Sequence, residues 1–436
     1  MTERRAGVPT VRLEVPDYDL GLRGKVVRAD KLTASSRPAM CTIVFGLSVA
    51  DDVTDTPLGS ALNGYPDAFM VVDEGTRVTL PWRRGSQAVI ADLVHADGAA
   101  VQESPRTVLS ALEQRFGPLG YEPVLGFEYE VYISRADAGS GAFDPLTRTV
   151  SAYSLLRAAE CDDLSAEFID RMNEIGIVVE AFHSELGPGF FEFALAPQTA
   201  VRSADNAARA RQHLRELCAE RGLRATFMAK LHAEHSGSGG HVHQSLRSAD
   251  GNVFSDGAGA LSAPGRHYLA GLLATMGDMS ALFNPFLNSY KRLDAAFFVA
   301  TRSSWGFDNR NAACRVILEG PPSAARLEHR RPGADANPYV VAAGMLAGGL
   351  HGLLAGADPG EPLRPDGDVA TAGEALPETL AEAVDRLEAS TVAKELLGVP
   401  FVDAFVATRR GELAAFDSWW RRTITDWELR RYPEHL

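Results

Sequence analysis

Cysteine is scarce in this chain of 436 residues. The four present, Cys41, Cys161, Cys218 and Cys314, lie far apart and form no Cys-x-x-Cys pair. That excludes a disulfide framework and a zinc ribbon, and it suits a reducing, cytoplasmic location. A positive excess is also lacking: 43 Lys and Arg face 57 Asp and Glu, a net charge of −14. A surface of that sign argues against DNA or RNA as partner, although a local Arg cluster can still hold an anion. The N-terminal MTERRAGVPTVRLEVPD has no apolar core segment, so no secretory signal is expected. Long apolar runs are missing except for VVAAGMLAGGLHGLLAGA, residues 340 to 357. Its Ala and Gly content and His351 predict a buried helix, with no membrane partner. Neither GxxxxGK[ST] nor GxGxxG occurs, so any nucleotide is held without a P-loop or a Rossmann turn.

What is present is ordinary for a globular chain, with 45% apolar and 23% charged residues. Up to about residue 100 the sequence reads as short strands broken by Gly and Pro: KVVRADKL, AMCTIVFGLSV, DAFMVVD and QAVIADLVHADG. SPRTVLSALEQRFGPLG then predicts a helix, with Ser104 as cap, Pro105 in the first turn and Gly117-Pro118 as stop. A boundary near residue 103 follows, giving units 1–103 and 104–436. The second unit mixes helices and strands, including a helix in SADNAARARQHLRELCAERG with Ser203 as cap, and reads as α+β with antiparallel sheet.

Four segments concentrate polar chemistry in apolar surroundings. GFEYEVYI alternates, so Glu128 and Glu130 share a strand face about 7 Å apart. FHSELGPGFFEF places Glu185 and Glu192 on either side of a Gly-Pro-Gly turn, with Glu192 between two phenylalanines. GSGGHVHQSL puts His241 and His243 on one side of a strand, and ARLEHRRP does the same for Arg326, Glu328 and Arg330. Burying carboxylates side by side is costly unless a cation joins them. Five acids with an imidazole favour Mg²⁺ or Mn²⁺ over zinc, and more than one ion. A zinc hydrolase built from His232, His235, His241 and His243 is the alternative, against which stands the absence of HExxH. Arg292, Arg310, Arg315, Arg326 and Arg330 supply the forks that bind carboxylate and phosphate.

These motifs, together with NSYKRL, TFMAK and RLEHRRPGADANPY, occur in an order and spacing that resemble type I glutamine synthetases. They are most similar to the branch that makes γ-glutamylpolyamines and other γ-glutamylamines. The resemblance implies an N-terminal β-grasp domain followed by a catalytic α+β domain with antiparallel sheet and flanking helices. It implies stacked hexameric rings, a homododecamer. It implies a reaction joining L-glutamate to an amine at the expense of ATP through a γ-glutamyl phosphate. By motif position Glu130, Glu185 and Glu192 match one metal site, and Glu128, His241 and Glu328 a second that faces the nucleotide. Arg292 matches the residue holding the glutamate α-carboxylate, and Gly237 the glycine that touches glutamate through its backbone. Ser236 stands where the family often has Asn. Arg310, Arg315 and Arg326 match phosphate contacts, and Arg330 the contact to the phosphoryl in transit. His243, Ser245 and Glu180 match the nucleotide half.

Two departures from the family pattern bear on the acceptor. Ammonia-using members carry an Asp in an N-terminal DGSS segment and a Glu on the flap after NSYKRL. Here the first stretch is VFGLSV, and six residues past Arg292 stands Phe298. Loss of both acids predicts a primary amine as acceptor, a polyamine, ethanolamine or another alkylamine; ammonia is the alternative. No tyrosine lies between Tyr339 and Tyr432, so the adenylylation site of some members is not expected.

Overall fold

The structure, a computed structural model, describes residues 8–19, 21–33, 35–136, 143–294 and 297–434. Residues 1–7, at the start of the segment read for a secretory signal, and flap residues 295–296 lie outside the described residues. The N-terminal part is a β-grasp-type sheet of six strands: β1 (Thr10–Pro16), β2 (Leu22–Arg28), β3 (Ala39–Cys41), β4 (Asp67–Val72), β5 (Val78–Leu80) and β6 (Ser86–Val94). The order is β2-β1-β6-β4-β3 with β5 on β6; β1 and β6 run parallel and the other pairs antiparallel. AMCTIVFGLSV, read above as one strand, is strand only over Ala39–Cys41 and then a 3₁₀ turn over Thr42–Gly46. The turn buries Val44 and Phe45 without a sheet partner.

The second sheet is built on one long strand, β7 (Glu122–Arg135), with β8 (Asp144–Pro145) beside it. Then come β9 (Val179–Ser184), β10 (Phe190–Leu195), β11 (Gln198–Thr199), β12 (Leu223–Thr226), β13 (Gly240–Ser248) and β14 (Gly251–Asn252). The last three are β15 (Trp305–Phe307), β16 (Cys314–Ile317) and β17 (Arg326–His329). The path is β15-β16-β17-β13-β7-β10-β9, with β8, β11 and β12 on β7 and β14 on β13. One face of β7 is apolar: Phe127, Tyr129 and Val131 are buried. The helix Ala200–Glu220 packs on that face, and the Arg211 guanidinium lies 5.1 Å from the Tyr129 ring centroid, a cation–π contact. That helix begins four residues earlier than its sequence cap suggests. Thr199 is the flanking residue, and Ser203 is buried inside, donating 2.8 Å to the Leu125 carbonyl.

The apolar run forms the helix Pro338–Ala355, capped by Asn337 and ended by Gly356 at φ +60°. It alone among the described residues is long and apolar enough to cross a membrane, and 78% of it is buried inside the protein. Glycines let it approach the helix Ala263–Thr275 closely: a Cβ on Gly271 would stand 2.1 Å from the Gly348 carbonyl oxygen. Ion pairs fasten the N-terminal sheet to these helices. Buried Arg106 binds Asp92 and Asp73 on one side and Asp205 on the other, and Tyr339 Oη donates 2.8 Å to Asp205.

Asp335, partly buried in the GADANPY stretch, accepts 2.6 Å from Ser289 Oγ on one oxygen, while its buried Oδ1 has no partner among the described residues. Burial pushes its carboxyl up to about 6, against the Ser289 bond and the Arg292 charge. A raised carboxyl favours the protonated folded state, so this group costs stability as pH rises from about 4 to about 6. Asp335→Asn keeps the acceptor and removes the charge. Its stability relative to the parent should therefore rise by up to about 3 kcal/mol between pH 4 and pH 7, measured by denaturant titration. A constant difference across that range counts against the raised carboxyl.

Candidate functional site

Strand pairing lays polar residues out in rows across the face of the second sheet opposite the core. Alternation along β7 turns Glu128 and Glu130 to this side. Glu192 of β10 stands opposite both Glu130 of β7 and His183 of β9. His241 of β13 stands opposite Glu128, and His243 opposite Glu328 of β17, which in turn faces Arg315 of β16. The Gly-Pro-Gly turn returns the chain so that Glu185 follows β9 on the same side, and its backbone N–H donates to the Phe190 carbonyl. Six strands thus deliver acids, imidazoles and a guanidinium to one surface.

The surface floors a cavity of about 430 Å³. Glu128, Glu130, Glu185, Glu192, His241, His243 and Glu328 line it, interleaved with Arg292, Arg310, Arg315, Arg326 and Arg330. Ser236, Gly237 and Phe298 complete it. Glu180 and Ser245 lie outside this cavity and line an adjoining one of about 540 Å³, which shares Glu128, His243 and Arg326 with the first. Every sequence-predicted site residue therefore borders one of two connected spaces. His232 and His235 do not; their rings sit 5.7 Å apart, His232 packed on Tyr132, and they join no cluster of metal donors among the described residues.

Glu328 is the most enclosed acid, 1% exposed. Its oxygens accept from Arg315 Nη1 at 3.0 Å and from Arg330 Nη1, and His241 Nδ1 lies 3.6 Å away. Burial alone would raise its carboxyl; the Arg330 charge, then those of His241 and His243, hold it down at about 2. Glu128 behaves likewise. Burial is outweighed by bonds to His241 Nδ1 at 3.1 Å and His243 Nε2 at 3.4 Å, and its carboxyl lies well below the usual range.

The other end is short of cations. Burial, then the Glu130 charge, raises the Glu185 carboxyl. Burial and the charges of Glu128 and Glu130 push Glu192 up to about 8 despite its contact with His183 Nε2 at 3.0 Å. Burial alone would lower the His183 ring; Glu192 and Glu185 overcome it and raise the ring to about 9. This cluster holds protons at neutral pH that the same groups in water would release, which is the state a divalent ion displaces.

Two groups of donor atoms lie close enough to share an ion: Glu128, His243 and Glu328, and His183, Glu185 and Glu192, each within 4.8 Å of one another. Carboxylate oxygens with few nitrogens and no sulfur fit Mg²⁺ or Mn²⁺. His183 is not among the residues singled out from the sequence. Its signal was there: it precedes Glu185 by two residues and so faces the same way. Glu130 turns an oxygen to the Gly239 N–H, 2.6 Å away, instead of joining the second group. His241 touches both Glu128 and Glu328, while His243 completes the donor triangle.

Arg292 is 2% exposed beneath the cavity. It donates to the carbonyls of Arg331 at 3.1 Å and Arg330 at 3.3 Å, and its Nε has no partner among the described residues. Burial lowers its pKa, opposed by the Glu130 charge. Gly237 packs on its stem so tightly that a Cβ would stand 2.6 Å from Arg292 Cγ and 2.5 Å from the Ala229 carbonyl oxygen. Phe298 lies at the mouth, half exposed, with φ +59°.

The glutamine synthetase catalytic-domain model matches residues 102–432. The chain is 35% identical to a glutamate–isopropylamine ligase of a Pseudomonas species over 440 residues, 98% of this chain and 95% of the relative. It is 34% identical to a γ-glutamylethanolamide synthetase of Streptomyces coelicolor over 442 residues, 98% of this chain and 93% of the relative. Among solved structures, the GmaS/ADP complex superposes with a TM-score of 0.83 at 28% identity, over 99% of this chain and 98% of that one. With the acid rows, the arginines facing them and these likenesses together, the chain belongs to the glutamine synthetase family.

Proposed function

We propose that this protein is an ATP-dependent ligase that joins the γ-carboxyl of L-glutamate to the nitrogen of a primary amine through a γ-glutamyl phosphate. The observation that carries the reading is one cavity lined by five glutamates, two histidines and five arginines, with Phe298 in its wall where an ammonium-binding acid would stand. A carboxylate does not accept an amine at neutral pH, because its leaving group would be oxide. Phosphorylation by ATP supplies a leaving group, and the anionic partners then need positive charge around them.

Glu130, Glu185 and Glu192, with His183, would hold one divalent ion; Glu128, His241 and Glu328, with His243, would hold another, and a third is compatible with so many acids. Bound there, Mg²⁺ or Mn²⁺ supplies charge that neutralises the polyphosphate oxygens. Arg292 holds the α-carboxylate of glutamate, with Ser236 and the Gly237 backbone beside it. Arg310 and Arg330 face the phosphoryl in transit, and Arg315 and Arg326 orient the remaining phosphates. Glu180 and Ser245 place the nucleoside in the adjoining cavity. Glu185 would take the proton the amine must lose.

The same reading assigns residues 1–103 to the β-grasp domain and 104–436 to the catalytic domain. It includes a homo-oligomer of hexameric rings, supported by family membership, and a cytoplasmic location, supported by four free cysteines. Authentic glutamine synthetase is the second reading, favoured by 31% identity to the Halobacterium salinarum glutamine synthetase over 86% of this chain.

The test is ADP release with Mg²⁺, ATP and glutamate against ammonium and a panel of amines. Release should require glutamate and an amine together, with kcat/KM for ammonium at least about tenfold below the best amine. Equal rates with ammonium restore the second reading, and amide hydrolysis without ATP returns the hydrolase. Phe298→Glu should move the preference toward ammonium; an unchanged ratio removes Phe298 from the argument.

A further inference from the structure

Behind Phe298 lies a second, smaller cavity of about 120 Å³, lined by Phe298, Val299, Ala300, Thr301, Arg302, Ser304, Asn311 and Val369. Phe298 and Val299 border this space and the main cavity alike. Phe298 has a left-handed backbone, uncommon for an aromatic residue, and it lines both spaces. Its neighbour Phe297 is held by Lys230, whose Nζ lies 4.0 Å from the ring centroid. The side cavity thus opens where an acceptor nitrogen would approach the γ-carboxyl, and it is too small for a long chain.

Its lining carries charge of one sign only. Arg302 donates from Nε at 3.0 Å and from Nη2 at 2.5 Å to the Gly373 carbonyl. Those bonds leave its positive charge uncancelled, and among the described residues no carboxylate lines the space. Val299 and Ala300 supply buried apolar wall, and Thr301, Ser304 and Asn311 supply neutral polar atoms.

Resting on the ligase reading above, we propose that this side cavity receives the substituent carried on the acceptor nitrogen. The acceptor is then a primary amine with a short, uncharged alkyl or hydroxyalkyl tail. An α,ω-diamine or a polyamine is disfavoured, because its distal ammonium would meet the Arg302 guanidinium with no acid among the lining residues to pair with. The wall discriminates by volume, and the guanidinium discriminates by sign.

The experiment compares kcat/KM, from ADP release with saturating ATP, Mg²⁺ and glutamate, for methylamine, ethylamine, isopropylamine, ethanolamine, putrescine and spermidine. The parent enzyme should use ethylamine, isopropylamine or ethanolamine at least about tenfold better than putrescine. Val369→Trp fills the cavity from its solvent side, since Val369 is 37% exposed. It should lower the isopropylamine-to-methylamine ratio about tenfold. Arg302→Glu should raise the putrescine-to-ethylamine ratio by a similar factor. A parent enzyme that prefers putrescine or spermidine overturns the proposal without any variant, and so do unchanged ratios in a folded Val369→Trp protein. Those outcomes leave the ligase reading standing; no ADP release with any amine or with ammonium overturns both.

Discussion

Glu192→Gln should abolish ligation, lowering kcat by about 10³-fold or more, while the metal-free protein melts at or above the parent's temperature. The two halves of this prediction have one cause. Burial and the charges of Glu128 and Glu130 hold the Glu192 carboxyl near 8, against an ordinary 4.5. The folded protein therefore keeps that proton up to about pH 8, while the unfolded chain releases it near pH 4.5, and stability falls as pH rises across that window. Glutamine removes the cost and can still accept from His183. It cannot supply the negative oxygen that a divalent ion needs. Added Mg²⁺ or Mn²⁺ should therefore reverse the order, raising the melting temperature of the parent more than that of the variant. Scanning calorimetry with and without metal, beside an ADP-release assay, reads both halves. Retained activity would take Glu192 out of the site.

Glu328→Ala should inactivate the enzyme as well, with the opposite effect on the fold: a loss of about 3–5 kcal/mol. Glu328 is the acceptor for Arg315 and Arg330 and is itself 1% exposed, so alanine leaves the buried Arg330 guanidinium without its counter-charge, while Arg315 keeps Asp308. Its folded carboxyl is depressed to about 2, so its contribution is full above the unfolded value of 4.5 and disappears as pH falls toward 2. The difference between parent and variant in urea midpoint should accordingly shrink below pH 4.5. A variant as stable as the parent at pH 7 would show that the arginines find other partners.

Much of this site is readable from local patterning. Alternation alone places Glu128 with Glu130 and Glu192 among apolar neighbours. What it leaves open is which strands lie side by side. His241 meets Glu128, and Glu328 meets His243, through pairings between segments more than eighty residues apart, which no local period specifies. His183 is different: its alternation with Glu185 was local and visible, and only its opposition to Glu192 waits on the paired hairpin. Ser203 shows a second limit. A serine before a helical run is a reasonable cap, yet a backbone carbonyl on β7 competes for its hydroxyl, and the helix starts at Ala200 instead. Phe298 shows a third, since nothing in an aromatic residue announces a left-handed backbone.

The hairpin of β9 and β10 presents Glu192 between Phe191 and Phe193, with the acid outward and the rings inward. Deleting one codon within β10 would exchange those sides, aiming a carboxylate into the hydrophobic interior and a phenyl ring into the cavity. Point substitutions can tune this enzyme by degrees, whereas single-residue length changes in that hairpin act as an on-off lesion.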